Sequence, residues 1–186
     1  MWKNIIAAAA FVSLTAIPAL AGGIGVFNGQ QTIAQSEVSK AAHQYVQSHF
    51  DAEGKKLEKQ FQDLQKQGQA FQTQAAAMSQ KAREEKQMEL MRKGRDLEQK
   101  RRTFAAQVDR TNAQLSQVMM RLASAASQEV AKKLDLDLIF NESTGAVAYY
   151  NAGKLDVNKE MLNELNNQWK KMGSKFPDFS KQQARK

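Results

Sequence analysis

Four consecutive heptads run through residues 57–82, LEKQFQDLQKQGQAFQTQAAAMSQKA. Apolar or small residues recur there at alternating steps of four and three, which is the spacing of a coiled-coil seam. The positions are Leu57, Phe61, Leu64, Gly68, Phe71, Ala75, Met78 and Ala82. No proline interrupts the chain from Ser48 to Lys133. The stretch therefore predicts a long helix that packs along one narrow face.

A second heptad series follows in a different frame, at Leu90, Gly94, Leu97, Arg101, Phe104, Val108, Thr111, Leu115, Val118, Leu122 and Ala125. The frame changes between Ala82 and Leu90, as expected where two antiparallel helices reverse, and Ser79 is suited to cap the second helix. One continuous helix with a stutter would also change the frame. We favour the hairpin, with its tip within residues 79–88, because it lets the flanking segments meet.

Short β-prone segments flank this helical region. Ile24, Val26 and Phe27 predict a first strand, and a helical pattern begins near Thr32. After the arm, alternation through Leu134, Leu136, Leu138 and Phe140 is the period of a half-buried strand. Residues 141–145 supply a turn, and residues 146–150 predict the second strand of a β-hairpin.

The predicted fold is mainly α with a small β component, in which a long antiparallel helical hairpin projects from a small β-containing body. Residues 22–50 give the first strand and a body helix, 51–133 the arm, 134–172 the two-stranded hairpin and a closing helix, and 173–186 a basic flexible tail. Asp156 is expected to cap the closing helix. Its predicted buried face is Met161, Leu162, Leu165, Trp169 and Met172.

Residues 1–21 predict a secretory signal peptide. Lys3 gives a basic start, residues 5–14 are apolar, and Ala19-Leu20-Ala21 is a small-x-small cleavage pattern. A membrane anchor is the alternative, but the apolar run is shorter than the roughly 20 residues that a bilayer requires, and Pro18 interrupts its end. We expect export, with cleavage after Ala21.

The chain has a net charge of +8 and no cysteine. The lack of cysteine excludes a disulfide framework and a thiolate nucleophile. Basic residues cluster in 92–102 and again from Lys170 to Lys186. Export argues against nucleic acid, so the clusters indicate anionic lipid, lipopolysaccharide or acidic protein as partners. A solvated helix face that keeps the protein soluble explains them equally well.

The sequence gives little support for an enzymatic activity. His43 and His49 are six residues apart and fall on different faces of a helix, which disfavours a shared metal or an acid–base pair. Gly23 and Gly25 lack the third glycine of a dinucleotide loop. We expect neither a catalytic site nor a cofactor.

Two sets of arm residues are candidates for binding a partner. Because Gly68, Gly94 and Arg101 weaken the seam, apolar side chains near it should be incompletely covered. The apolar set is Phe61, Phe71, Met78, Met88, Leu90 and Met91. The basic set, which would attract an anionic partner, is Lys81, Arg83, Lys86, Arg92, Lys93 and Arg95.

The order of elements resembles the Skp/OmpH family of periplasmic chaperones. The motifs that carry the resemblance are Gly25-Val26-Phe27-Asn28, Leu136-Asp137-Leu138-Ile139-Phe140, Ala146-Val147-Ala148-Tyr149-Tyr150 and Leu155-Asp156-Val157-Asn158. The family usually has threonine where this chain has Asn158, and asparagine also forms local hydrogen bonds.

The resemblance implies an ATP-independent holdase in the periplasm, a homotrimer whose arms enclose unfolded outer-membrane proteins. The body that joins the subunits would include Val26, Phe27, Leu138, Phe140, Val147 and Tyr149. Open sheet edges favour association on physical grounds as well. The alternative from another class is a coiled-coil envelope adaptor that bridges anionic membrane components.

Overall fold

The computed structural model describes residues 22–179, which form a long helical hairpin on a small body. The elements in chain order are β1 (Gly23–Phe27), α1 (Gly29–Gln35), α2 (Glu37–Gln74), α3 (Gln80–Leu134), β2 (Leu136–Asn141), α4 (Ala152–Leu155) and α5 (Asn158–Lys171). This order confirms the mainly α fold with a small β component. The predicted signal peptide, residues 1–21, and residues 180–186 lie outside the described part.

The hairpin reverses at a short turn, so the alternative of one continuous helix with a stutter is wrong. Ala75–Ala77 form a 3-10 turn, and Ser79 then caps α3 by accepting a hydrogen bond from Ala82 N at 3.3 Å. A capping residue has an extended backbone, here φ −63 and ψ 155, so the first helix must end before it. The reversal therefore precedes Ser79, at the near edge of the predicted interval 79–88.

The predicted body helix is two helices that meet at Ser36. Asn28 caps α1 by accepting a hydrogen bond from Gln31 N at 2.8 Å. Ser36 is extended and caps α2 by accepting from Ser39 N at 3.2 Å. From Glu37 the backbone is helical without interruption to Gln74. The body and the first arm are thus continuous through one helix.

The two strands pair in parallel, which the long helical connection between them permits. Ile24 pairs with Leu138 and Val26 with Phe140, and the register shifts between Gly23 and Ile24. Because of this shift, Leu136 and Ile139 both pack against the core, whereas Leu138 and Phe140 stay exposed. The regular alternation predicted for this segment does not hold, and its first member, Leu134, ends α3.

The predicted second strand, residues 146–150, is not a strand in the structure. A 3-10 turn at Glu142–Thr144 and the left-handed Gly145, φ 74, carry the chain away from β2 instead of back alongside it. Asn141 Oδ1 accepts hydrogen bonds from Ser143 N at 3.1 Å and Gly29 N at 2.9 Å. The turn at 141–145 is confirmed, and the β-hairpin is replaced by the parallel pair.

The core lies at the base of the hairpin, where α5 packs against α2 and α3. Met161, Leu165 and Trp169 are buried as predicted. They pack in one cluster with Val38, Ala42, Leu115, Val118, Leu122, Ala126 and Val130. The expected cap at Asp156 is wrong by one residue, because the N-cap position of α5 is Val157, which makes no side-chain capping hydrogen bond. Asp156, one position earlier, accepts a hydrogen bond from Asn158 N on its Oδ1 at 2.7 Å.

The end of the described chain is packed instead of free. Met172 was expected on the buried face of α5, but it follows the last helical residue and is exposed. Phe176, by contrast, packs against the core, and Phe179 belongs to it. The prediction of a flexible tail from residue 173 is therefore wrong as far as Phe179, because two phenylalanines in this basic segment pack on the core.

Candidate functional site

Aromatic and leucine side chains pack between the two helices at the root of the arm. The rings of Phe50 and Phe104 meet edge to face, with their centroids 5.9 Å apart. Gly54 lies beside them, and a Cβ there would meet Phe104 Cζ at 3.5 Å, an ordinary van der Waals distance. Leu57 of α2 and Leu97 of α3 are buried further along the arm.

Between those leucines and the tip, the arm has no buried core. Within residues 58–96, all of them described, no residue is buried. Lys93 Nζ donates to Gln67 Oε1 at 2.8 Å from one helix to the other. Gly94 faces Leu64, where even an added Cβ would be 3.9 Å away. Polar and half-exposed contacts therefore join the two helices over the outer arm.

The predicted apolar set divides between the seam and the outer surface. Phe61, Phe71, Met78 and Leu90 are half-buried. Met88 and Met91 are 51% and 53% exposed. A recess of about 350 Å³ adjoins Met88, lined by Glu85, Met88, Glu89, Arg92, Lys93 and Asp96. The two methionines thus present thioether side chains to solvent among charged groups, near the tip.

A larger groove lies at the root of the arm. It has a volume of about 600 Å³, and its apolar lining includes Val46, Phe50, Phe104 and Val108. Asp51, Lys55, Glu58 and Lys59 also line it. This groove was not predicted from the sequence, although Phe50 lies one heptad before Leu57 and extends the first series towards the body.

The predicted basic set also divides, according to the partners of its members. Lys86 Nζ lies 2.8 Å from Glu89 Oε2, and Lys93 contacts the other oxygen of the same carboxylate. The hydrogen bond from Lys86 and that from Lys93 hold the pKa of Glu89 at about 2, well below its ordinary range. The two lysines thus share one carboxylate, which offsets one of their two positive charges.

The remaining cations of the set have no carboxylate partner within the described chain. Arg83 donates to the carbonyl oxygen of Met78 at 3.4 Å, at the turn. Lys81, Arg92 and Arg95 are exposed and form no ion pair among residues 22–179. Like Arg83, these three side chains carry positive charge that no contacting carboxylate of the described chain offsets.

The surface residues predicted for the body differ in their accessibility. Val26 and Phe27 are buried within the chain itself. Leu138 and Phe140 are exposed, and so is Ile24, which pairs with Leu138 in the sheet and was not singled out from the sequence. Val147 is half-buried, and Tyr149 is 86% exposed. One face of the two-stranded sheet therefore carries an uncovered apolar patch of Ile24, Leu138 and Phe140.

One buried carboxylate was also missed by the sequence analysis. Glu164 of α5 is 3% exposed, and it accepts hydrogen bonds from Lys133 Nζ of α3 at 2.6 Å and from Gln168 at 2.9 Å. The hydrogen bond from Lys133 lowers the pKa of Glu164, against the opposing effect of burial. The Glu164 carboxylate thereby links α5 to α3 at the base of the arm.

The two histidines are on the surface of α2. His43 is exposed, and the ring of His49 stacks on Tyr45 with centroids 4.0 Å apart. Among residues 22–179, no three side chains of the metal-binding types come together. Over the same residues, no helix combines the length and hydrophobicity needed to cross a membrane.

Comparison with known proteins gives a family and a fold. A family model described as outer membrane protein (OmpH-like) matches residues 23–165. The fold is similar to the crystal structure of a proposed outer membrane chaperone (OmpH-like) from Caulobacter crescentus CB15, with a TM-score of 0.66 and 15% identity over 90% of each chain. No curated protein sequence matches the chain. At this identity the structural likeness bears on the fold alone.

Proposed function

This chain belongs to the OmpH-like family of outer membrane proteins, and we propose that it is an ATP-independent holdase chaperone that acts in the periplasm. It would bind unfolded outer-membrane proteins between its helical arms and keep them from aggregating before they insert into the membrane. The crystal structure with the same fold is itself described as that of a proposed outer membrane chaperone. The proposed activity is passive binding, without catalysis.

The observation that carries this proposal is the open construction of the outer arm. Residues 58–96 bury no side chain, yet they hold half-buried Phe61, Phe71 and Leu90 and exposed Met88 and Met91. Unbranched methionine side chains adapt to surfaces of different shape, which suits a binder of unfolded chains. Many weak apolar contacts along such an arm would hold a client without fixing its conformation.

The apolar patch on the sheet supports a homotrimer. Ile24, Leu138 and Phe140 are exposed on one sheet face, and β2 has only β1 as a neighbouring strand in the described chain. A two-stranded sheet is marginal by itself, and an open strand edge is a ready pairing site. We propose that three copies pair through this region, so that their arms surround a shared space.

The unpaired cations Lys81, Arg92 and Arg95 support a role for electrostatic attraction. Each basic group near an anionic surface contributes on the order of 1 kcal/mol, and salt screens the attraction. We propose that they draw acidic client segments, anionic lipid or lipopolysaccharide towards the outer arm. The adaptor alternative uses the same charges to bridge membranes, but it gives no role to the exposed methionines.

An aggregation assay tests the holdase directly. A purified outer-membrane β-barrel protein, unfolded in urea, is diluted into buffer with or without this protein, and light scattering is followed at low and at high salt. The proposal expects slower aggregation at both salt levels, with stronger protection at low salt. Equal aggregation with and without the protein at every salt level would exclude a holdase.

A further inference from the structure

Four aromatic side chains from three separate segments meet where the first arm leaves the body. Tyr45 lies in α2 and Trp169 in α5, whereas Phe176 and Phe179 come from the segment that follows α5. The Tyr45 ring meets Phe176 and Phe179 edge to face, with centroids 5.9 Å and 5.6 Å away. Trp169 lies 4.8 Å from Phe176. These rings connect the C-terminal segment, the closing helix and the arm root.

The backbone conformation just after α5 turns the segment that follows it towards α2. Gly173 and Ser174 both have left-handed conformations, with φ of 86 and 53, which is unusual for serine. Gly173 N donates to Lys170 O at 2.9 Å, and Ser174 N donates to Trp169 O at 3.1 Å. Two successive left-handed residues and their hydrogen bonds end the helix and turn the chain towards α2.

The packing of this segment is that of a core element. Phe179 is 5% exposed and shares a cluster with Val38, Leu115 and Met161. The segment also starts after residue 165, the last residue that the family model matches. The packing of these two rings, with Phe179 buried and Phe176 half-buried, therefore lies outside the part of the chain that the family model matches.

We propose that residues 173–179 form a strap that fixes the root of the first arm to the closing helix and limits how far the arm can swing. Tyr45 is the point of attachment on the arm side, because both strap rings contact it. His49 stacks on the same ring one helical turn further out, at 4.0 Å. The strap therefore acts on the part of α2 that leads directly into the arm. Its consequence for clients rests on the proposed function.

Hydrogen exchange of the full chain, without any client, tests the strap. In the double variant Phe176→Ala, Phe179→Ala, amides of residues 43–52 should exchange roughly tenfold faster, because the arm root opens more often. Exchange of amides near Met161 and Val130 should rise much less, because their residues share the core cluster with Phe179 but lie outside the arm root. Lys175→Ala, an exposed change within the same segment, is the matched control and should match the unaltered protein at every position.

Two results would overturn the strap. One is unchanged exchange in residues 43–52 of the double variant. The other is an equal rise at Met161 and Val130, which would mean that the rings only stabilise the fold as a whole. If the double variant is poorly folded, Phe179→Leu replaces it, and a smaller rise confined to residues 43–52 is expected. Because no client is present, failure here is distinguishable from failure of the holdase, which the aggregation assay reports.

Discussion

Arg101 of α3 lies over the ring of Phe61 in α2, with its guanidinium carbon 5.0 Å from the ring centroid. A cation over an aromatic face is attracted by the negative charge density of that face. The charged residue in the second heptad series therefore joins the two helices at the level where the outer arm begins, close to the buried Leu57 and Leu97. The seam is weaker than a leucine seam but is not broken at this position.

Replacing Arg101 tests how much this contact holds the arm together. Arg101→Ala should weaken the association of the two helices by about 0.5–1 kcal/mol, seen as faster hydrogen exchange in residues 57–74. Arg101→Met keeps most of the apolar stem and removes the charge. If Arg101→Met exchanges as slowly as the unaltered protein, the stem and not the cation holds the ring.

Removing the exposed methionines of the outer arm tests the client surface. Met88→Ser with Met91→Ser should weaken client binding roughly tenfold, or ~1.4 kcal/mol, because two apolar side chains are lost from the contact. Met120→Ser is the matched control, since Met120 is 62% exposed on the same helix but near the body. Titration of a urea-unfolded β-barrel protein measures the affinity. If the double variant and the control lose the same amount of client affinity, the outer arm has no special role in client binding.

The two classes of basic residue should differ in their effect on association. Arg92→Gln removes one cation that has no carboxylate partner, and should slow client association several-fold at low salt. Lys86→Gln removes a cation already paired with Glu89 at 2.8 Å and should have a smaller effect. Stopped-flow association at several salt concentrations makes the comparison. A larger effect of Lys86→Gln would show that pairing with Glu89 does not neutralise it.

The buried Glu164 makes stability depend on acid. The pKa of Glu164 in the folded protein is lower than the ordinary value of 4.5. The ionised carboxylate therefore adds fully to the free energy of unfolding above pH 4.5, and this stabilisation is lost as the pH falls through the lowered pKa. Lys133→Met should cost about 2 kcal/mol at neutral pH, because a charged hydrogen bond to a buried group is lost. Urea unfolding at pH 7 and in acid measures it. The difference between variant and unaltered protein should shrink in acid, and a constant difference would contradict the assignment.

The heptads predicted helices that pack along one seam, and the change of frame between Ala82 and Leu90 favoured a hairpin over one continuous helix. Ser79 could be identified because a serine at a frame change supplies the hydrogen-bond acceptor that a new helix requires. The small sheet was harder. Residues 146–150 have strand-like composition, but Asn141 and Gly145 direct the chain elsewhere, and a pattern of apolar residues does not report that turn.

The sequence predicted only part of the candidate site. Met88 and Met91 fall outside the heptad positions, so their exposure follows from the helix period alone. The pairing of Lys86 and Lys93 with Glu89 depends on side-chain choices among several neighbours, which spacing does not decide. The meeting of Phe176 and Phe179 with Tyr45 joins residues that are far apart in the chain, and only the folded structure brings them together.

Mass determination of the intact complex tests the central claim most directly. Native mass spectrometry of the full chain, with and without a urea-unfolded outer-membrane β-barrel protein, reports the oligomeric state and client binding in one measurement. The account predicts a trimer that takes up the unfolded protein and keeps its three subunits. A monomer or an elongated dimer whose mass does not change when the unfolded protein is added would contradict it.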